Sequence, residues 1–196
     1  MIEVVLATKN PDKIPEIEAV LRQLLPEAVV VRGLDWPEVD ETGETLEENA
    51  LLKARAAMEA TGYPAIGDDT GLEVDALDGA PGIRTARFAG PDASYHQNRA
   101  ALLAALGEND DRSARFRTAV AFVSPNGSVV VASGEVAGTI TRQERGECGF
   151  GYDCIFEVSD GLTMAEMGGD AKNAVSHRSR ALAALVAAMS GDELLL

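Results

Sequence analysis

No apolar run in this chain approaches the ~20 residues that a membrane-crossing helix needs, which excludes a span of that kind. Basic residues are scarce: 17 Lys and Arg stand against 32 Asp and Glu, a formal net charge of −15. That balance argues against sequence-independent binding to DNA or RNA, which needs a basic surface. It leaves open a small anionic substrate held by a few local cations and a divalent metal. The two cysteines, Cys148 and Cys154, have neither a second Cys pair nor a His cluster, which argues against a zinc site, and both are expected as free thiols. His96 and His177 are the only histidines, which removes any two-His metal motif on one helix. Also missing is the G-x-x-x-x-G-K-[ST] loop, and with it the P-loop NTPase class. Met1 to Leu6 lack the basic region of a signal peptide and read as a first strand, so the expected location is cytoplasmic.

What is present is an ordinary globular composition, 46% hydrophobic and 25% charged. The 196 residues suffice for one sizeable core, divided by a cleft into two lobes. Ile2 to Ala7 reads as a strand. Asn10 as N-cap and Pro11 at the first position then open a helix carrying Ile14, Ile17, Leu21 and Leu24 on one face. Pro15, fifth in that helix, is expected to bend or delay it. Ala28 to Val31 is a second strand. Thr45 and Glu48 match a capping box opening a helix to about Thr61, with Leu46, Ala50, Ala54 and Ala57 buried and Lys53 close to that stripe. A helix over 94–106 follows. Strands over 116–123 and 128–133 are joined across Pro125-Asn126-Gly127, a hairpin signal, and β structure continues over 136–141. Cys154 to Val158 reads as a strand, and Asn173 onward as helix. Alternating strands and helices with a central hairpin point to an α/β fold with a mixed sheet.

The most informative segment is Gly67-Asp68-Asp69-Thr70-Gly71, where an apolar strand is expected to end on two adjacent carboxylates. Burying either ion uncompensated is costly, so one is protonated or a cation sits there. Asp68 and Asp69 therefore read as a magnesium site or an acid/base site, with a solvated turn as the plain alternative. Thr8, Lys9, Asn10, Pro11, Asp12 and Lys13 lie between a strand and a helix start, where amide donors and the helix dipole suit a polyphosphate. Glu41, on a loop, would complete an oxygen-ligand magnesium site with the two aspartates, or belongs to a solvated acidic loop with Asp40 and Glu44. Lys53 snorkels outward or, aimed inward, is a phosphate ligand. Gly149-Phe150-Gly151-Tyr152-Asp153 offers a close backbone approach, a stacking ring and an acceptor for a ring N–H or a ribose hydroxyl, with a bulge or turn that puts Phe150 in the core as the equal alternative. Lys172, Ser176, His177 and Arg178 gather donors at a helix start, suited to an anion or a polarised carbonyl.

Taken in order, these motifs, together with Glu48-Asn49-Ala50-Leu51-x-Lys53-Ala54, Gly79-Ala80-Pro81-Gly82 and Ala86-Arg87, resemble the inosine triphosphatase (dITP/XTP pyrophosphatase) family almost end to end. The resemblance implies a single domain over 1–196 in two lobes, an elongated mixed β-sheet flanked by helices with a central substrate cleft, and a homodimer. It implies Mg²⁺-dependent conversion of ITP, dITP and XTP to the monophosphate and pyrophosphate. By motif, Asp69 corresponds to the general base and a metal ligand, Glu41 and Asp68 support the metal and its water, and Thr8 to Lys13 with Lys53 bind phosphates. Phe150 to Asp153, Lys172, His177 and Arg178 surround base and sugar, with Thr70 beside the carboxylates. Cys154, Thr70 and Arg84 depart from the usual proline, serine and aromatic. Alternatives are a pyrophosphatase of the septum-inhibition type acting on pyrimidine or modified nucleotides, and a nucleotide-binding module without turnover.

Overall fold

Thr45 and Ser94 each open a helix in the way the sequence predicts. The Glu48 amide donates to Thr45 Oγ1 at 3.1 Å, and the Thr45 amide donates back to Glu48 Oε2 at 3.3 Å. Gln97 and Ser94 repeat that exchange. Each box satisfies two amides that a helix start would otherwise leave open.

The computed structural model of the protein describes residues 2–158 and 161–191. In chain order the strands are β1 (Ile2–Leu6), β2 (Ala28–Val30), β3 (Ala65–Val74), β4 (Pro81–Gly82), β5 (Ser113–Val123), β6 (Val129–Ile140) and β7 (Phe156–Glu157). The helices are α1 (Lys13–Leu24), α2 (Leu46–Thr61), α3 (Tyr95–Leu106), α4 (Gly169–Val175) and α5 (His177–Gly191). Strand order is β2-β1-β3-β5-β6-β7, with β4 paired to β3. β1 runs parallel to β2 and β3, whereas β3–β4 and β6–β7 are antiparallel, so the sheet is mixed as expected.

The chain forms two compact units, one of residues 1–69, 118–134 and 177–196, the other of 70–117 and 135–176. The first has apolar side chains packed on its sheet segment: Val4, Leu6 and Ile66 meet Ile17, Val20 and Leu21 of α1 and Ala181, Leu182 and Leu185 of α5. The second is built around Leu72, Leu102, Phe116, Ile140, Phe156 and Met164, with Phe116 and Phe156 rings 4.6 Å apart. Among the described residues no helix is long and apolar enough to cross a membrane.

Four local expectations need correction. β3 does not end at the carboxylates but continues through Asp68-Asp69 to Val74. α1 starts at Lys13, with Asp12 at the cap, because Asn10 Oδ1 accepts the Asp12 amide at 2.9 Å and holds a turn there instead. Pro15 thereby falls in the first helical turn, where its missing N–H has no intrahelical partner to lose. Residues 153–155 form a helical turn, leaving only Phe156–Glu157 as strand. Lastly, helix begins at Gly169 and is interrupted by the extended Ser176, so the final helical stretch is two helices.

Gly67 is where α2 meets the sheet. A Cβ there would lie 2.2 Å from the Ala50 carbonyl oxygen and 2.8 Å from the Ala54 amide nitrogen, both helix backbone. Gly67→Ala is expected to cost about 1–3 kcal/mol, as overpacking does. At roughly 2–4 °C per kcal/mol for a chain of this size, thermal unfolding reads that directly. An unchanged Tm would mean that α2 can move off the strand.

Candidate functional site

Side chains of a strand alternate between faces, so continuing β3 through both aspartates sends them to opposite sides. That alternation resolves the repulsion expected of adjacent carboxylates: each is met by its own cations. Asp68, fully buried, pairs with Lys13 Nζ at 2.9 Å and lies 3.5 Å from Arg178 Nε. Asp69 receives Lys53 Nζ at 2.8 Å and Asn49 Nδ2 at 3.3 Å. Lys13 comes from the first turn of α1, Lys53 and Asn49 from α2, and Arg178 from the first turn of α5.

Electrostatics separate the two acids. Burial works against the Asp68 charge, but Lys13, Arg178 and Lys53 outweigh it and hold that carboxyl well below the usual range. Asp69 goes the other way: burial pushes its pKa up, Glu41 adds to the rise, and Lys53 only partly offsets it. Burial lowers the Lys13 pKa against the pull of Asp68. Lys53 is likewise desolvated, yet Asp69, Asp68 and Glu41 together keep its pKa above normal. Burial and neighbouring charge thus push the two carboxyls in opposite directions, the kind of division that separates acid and base roles in paired carboxyls.

Lys53 points inward, not to solvent, and bridges Asp69 and Glu41, the latter at 3.1 Å. Glu41 and Asp69 therefore converge on one positive centre. Mg²⁺ is held by one or two carboxylates with waters and substrate phosphates completing its shell, so this donor set fits it. Among the described residues no group of three or more His, Cys, Asp or Glu is gathered for a metal. One oxygen, Asp68 Oδ1, is buried and finds no hydrogen-bond donor among the described residues.

The other expected residues have their own partners. In the phosphate-loop candidate, the Asn10 amide is bonded to Thr8 Oγ1 at 3.2 Å and the Lys13 amide to the Asn10 carbonyl at 3.3 Å, so those donors are engaged within the loop. Pro11 has no amide hydrogen to offer. Lys9 turns to Asp35 at 2.8 Å and lies 4.5 Å over the Trp36 ring, while Asp12 is exposed at the cap. Arg178 is shared between Asp68 and Glu16. His177 is buried, its Nδ1 2.6 Å from Thr118 Oγ1.

The second unit gathers a separate group. The Phe150 amide and Lys172 Nζ both donate to Asp153 Oδ2, at 2.8 and 2.6 Å. Lys172 Nζ also sits 5.1 Å from the Phe150 ring centre, with the Tyr95 ring at 5.9 Å. Arg99 donates to the Gly151 carbonyl at 2.9 Å and forks onto Glu144. The close approach at Gly149 (φ +78°) is to the loop's own Asp153, whose Oδ2 would lie 2.2 Å from a Cβ there. Asp153 thus organises the loop, and Tyr152 is a core side chain whose hydroxyl donates to the Thr85 carbonyl at 3.0 Å. Thr70, half-buried, follows Asp69 directly. Cys148 and Cys154 are free thiols as expected, and burial pushes Cys154 up to about 11.

Asn49, quoted above within a motif but given no role there, is fully buried; it accepts the Gly43 amide at 2.8 Å and donates to Asp69, tying the Glu41 loop to β3. Its position one residue before Ala50, inside the buried stripe of α2, was the available signal. Glu16, Thr118, Tyr95 and Arg99 were also missed. Nothing local to them in the chain announces their partners.

The sequence profile of the Ham1 family matches residues 4–188. A dITP/XTP pyrophosphatase of Geobacter sulfurreducens is 49% identical over 189 residues, covering 94% of this chain and 95% of its own. One from Caulobacter vibrioides is 49% identical over 191 residues, covering 95% and 97%. Among solved structures, a HAM1 protein from Coxiella burnetii superposes with a TM-score of 0.86 at 39% identity, covering 97% of this chain and 100% of that one. The Staphylococcus aureus Ham1 protein gives 0.82 at 39% identity, covering 97% and 99%.

Proposed function

Since the chain belongs to the Ham1 family, we propose that it is a nucleoside triphosphate pyrophosphatase that hydrolyses ITP, dITP and XTP to the monophosphate and pyrophosphate. The observation that carries this reading is the buried set Lys13–Asp68 and Lys53–Asp69–Glu41. Water adds across the α–β phosphoanhydride and the bond to pyrophosphate breaks. Asp69, its pKa raised, orients that water and takes its proton. Lys13 and Lys53 offset charge on the phosphates, and Asp68 holds Lys13 in place. Glu41 and Asp69 would hold Mg²⁺, which would supply positive charge against the phosphates.

Thr8 and the α1 start border the phosphates. Selectivity has a simple chemical source. Hypoxanthine and xanthine carry a carbonyl at C6 where adenine carries an amine. A buried donor such as His177 rewards the first and is stranded by the second, a difference that discriminates by ~10⁴ or more. A homodimer in the cytoplasm completes the proposal.

Pyrophosphate release from ITP, XTP, GTP, ATP and dTTP, with Mg²⁺ and with EDTA, tests it. Fast release from ITP and XTP, lost in EDTA, is expected. Turnover of dTTP instead would move the protein to a pyrimidine-directed activity. Tight ITP binding without turnover would make it a binding module.

A further inference from the structure

Asn49 and Lys53 stand four apart on α2 and so lie on one face of it. Both reach the same two targets, the Glu41 loop and Asp69. Lys53 Nζ meets Glu41 at 3.1 Å and Asp69 Oδ1 at 2.8 Å. Asn49 Oδ1 accepts the Gly43 amide at 2.8 Å, and its Nδ2 donates to Asp69 Oδ2 at 3.3 Å. Each oxygen of Asp69 thus receives its own donor from α2. The loop entering α2 is tied residue by residue: Glu48 Oε2 accepts the amides of Glu44 and Thr45, at 2.7 and 3.3 Å, next to the Gly43 bond. Gly43 leaves just enough room for this. A Cβ there would lie 2.7 Å from both Asn49 Oδ1 and Glu48 Cβ.

The neighbours of Asn49 fix which way its amide points. A backbone N–H only donates, so the atom that meets Gly43 is the oxygen, and the nitrogen is left for the Asp69 carboxylate. The reverse orientation would set donor against donor at Gly43 and acceptor against acceptor at Asp69. Charge then separates the two α2 side chains. The Lys53 ammonium serves the phosphates in the proposed reaction, so its hold on Glu41 and Asp69 is shared with them. A neutral, fully buried amide has no comparable attraction to an anion. We propose that Asn49 is a positioning residue: it keeps the Glu41 loop and the Asp69 carboxylate in fixed mutual orientation, with Oδ1 turned to Lys53, while Lys53 engages substrate. This deepens the pyrophosphatase reading and rests on it.

Two variants attack the clamp from opposite ends. Asn49→Leu keeps the branched shape and removes both bonds, whereas Gly43→Ala pushes on the clamp from the half-buried loop and leaves Asn49 in place. Each is expected to raise the Mg²⁺ concentration that half-saturates ITP hydrolysis by roughly tenfold to a hundredfold, the range for losing a residue that orients metal ligands. KM for ITP at saturating Mg²⁺ is expected to stay unchanged. Hydrogen exchange at the Gly43 amide, in protein free of metal and substrate, reads the clamp without turnover. That amide is expected to be protected in wild type and to exchange faster in Asn49→Leu. Melting temperatures show whether each variant folds, and if Asn49→Leu does not, Gly43→Ala carries the Mg²⁺ measurement. An unprotected Gly43 amide in wild type would overturn the proposal. So would variants that melt lower yet half-saturate at the wild-type Mg²⁺ concentration, which is the result of a merely structural role. A wild type that turns over no ITP at any Mg²⁺ concentration would instead overturn the pyrophosphatase reading beneath it.

Discussion

Asp69→Asn is expected to lower kcat for ITP by about 10³-fold, within the 10²–10⁴-fold range for loss of a positioned base, while the protein remains folded. The amide is nearly isosteric and can still accept from Lys53, so the substitution removes basicity and one metal-binding charge without emptying the site. Glu41 remains on Lys53 and keeps that ammonium from standing alone. Single-turnover rates with saturating ITP and Mg²⁺ separate a lost chemical step from weakened binding. A variant with near-normal kcat and raised KM would assign Asp69 to binding only and leave the base to another group. Circular dichroism and the melting temperature check that the fold survives.

Asp68→Ala is expected to act on stability instead, costing about 3–5 kcal/mol, the range for removing one member of a buried ion pair. The reason is geometric. Lys13 and Arg178 both face this one buried carboxylate from different helices, and its loss removes the charge that both cations share. Asp68→Asn should be nearly as damaging, since shape is kept but charge is not. Urea unfolding of the metal-free protein at pH 7 measures this. A loss under about 1 kcal/mol, the range for an exposed pair, would show that water screens the cluster.

The pH dependence of that difference has a definite sign. Asp68 is held below its ordinary value of 3.8 in the folded chain, so its contribution is complete above that value and is lost as pH falls toward the depressed one. The gap between wild type and Asp68→Ala should therefore be flat at neutral pH and close below about pH 4. Asp69 works in the opposite sense. Its raised value means the folded chain binds that proton more tightly, so its contribution fades as pH rises from 3.8 through the raised pKa.

Much of the fold was legible because its signals are local. The Thr45–Glu48 and Ser94–Gln97 boxes close within three residues, and the Pro125-Asn126-Gly127 turn closes with the Gly127 amide on the Ser124 carbonyl at 3.0 Å. The stripe of Leu46, Ala50, Ala54 and Ala57 follows from helical spacing alone, and all four are buried. Order along the chain also gave the family, and with it the residues of the acidic cluster.

The errors share one cause, a local rule overridden by a partner elsewhere. Two adjacent carboxylates read as the end of a strand because a strand should not bury them. β3 carries both because Lys13 and Arg178 wait on one face and Lys53 on the other. Asn10 read as a helix cap, yet its side chain closes the turn before the helix. The sequence by itself determined the family, the extents of α2 and α3 and the reaction class. Tertiary structure alone decided the opposite directions in which the two acids are pushed, which cation each acid meets, and that Thr118 meets the His177 ring. Those outcomes depend on contacts such as Thr118–His177, 59 residues apart, and Glu16–Arg178, 162 apart. Hydrogen bonds within one turn follow from neighbouring residue types, whereas desolvation and charge pairing are fixed only when distant segments are brought together.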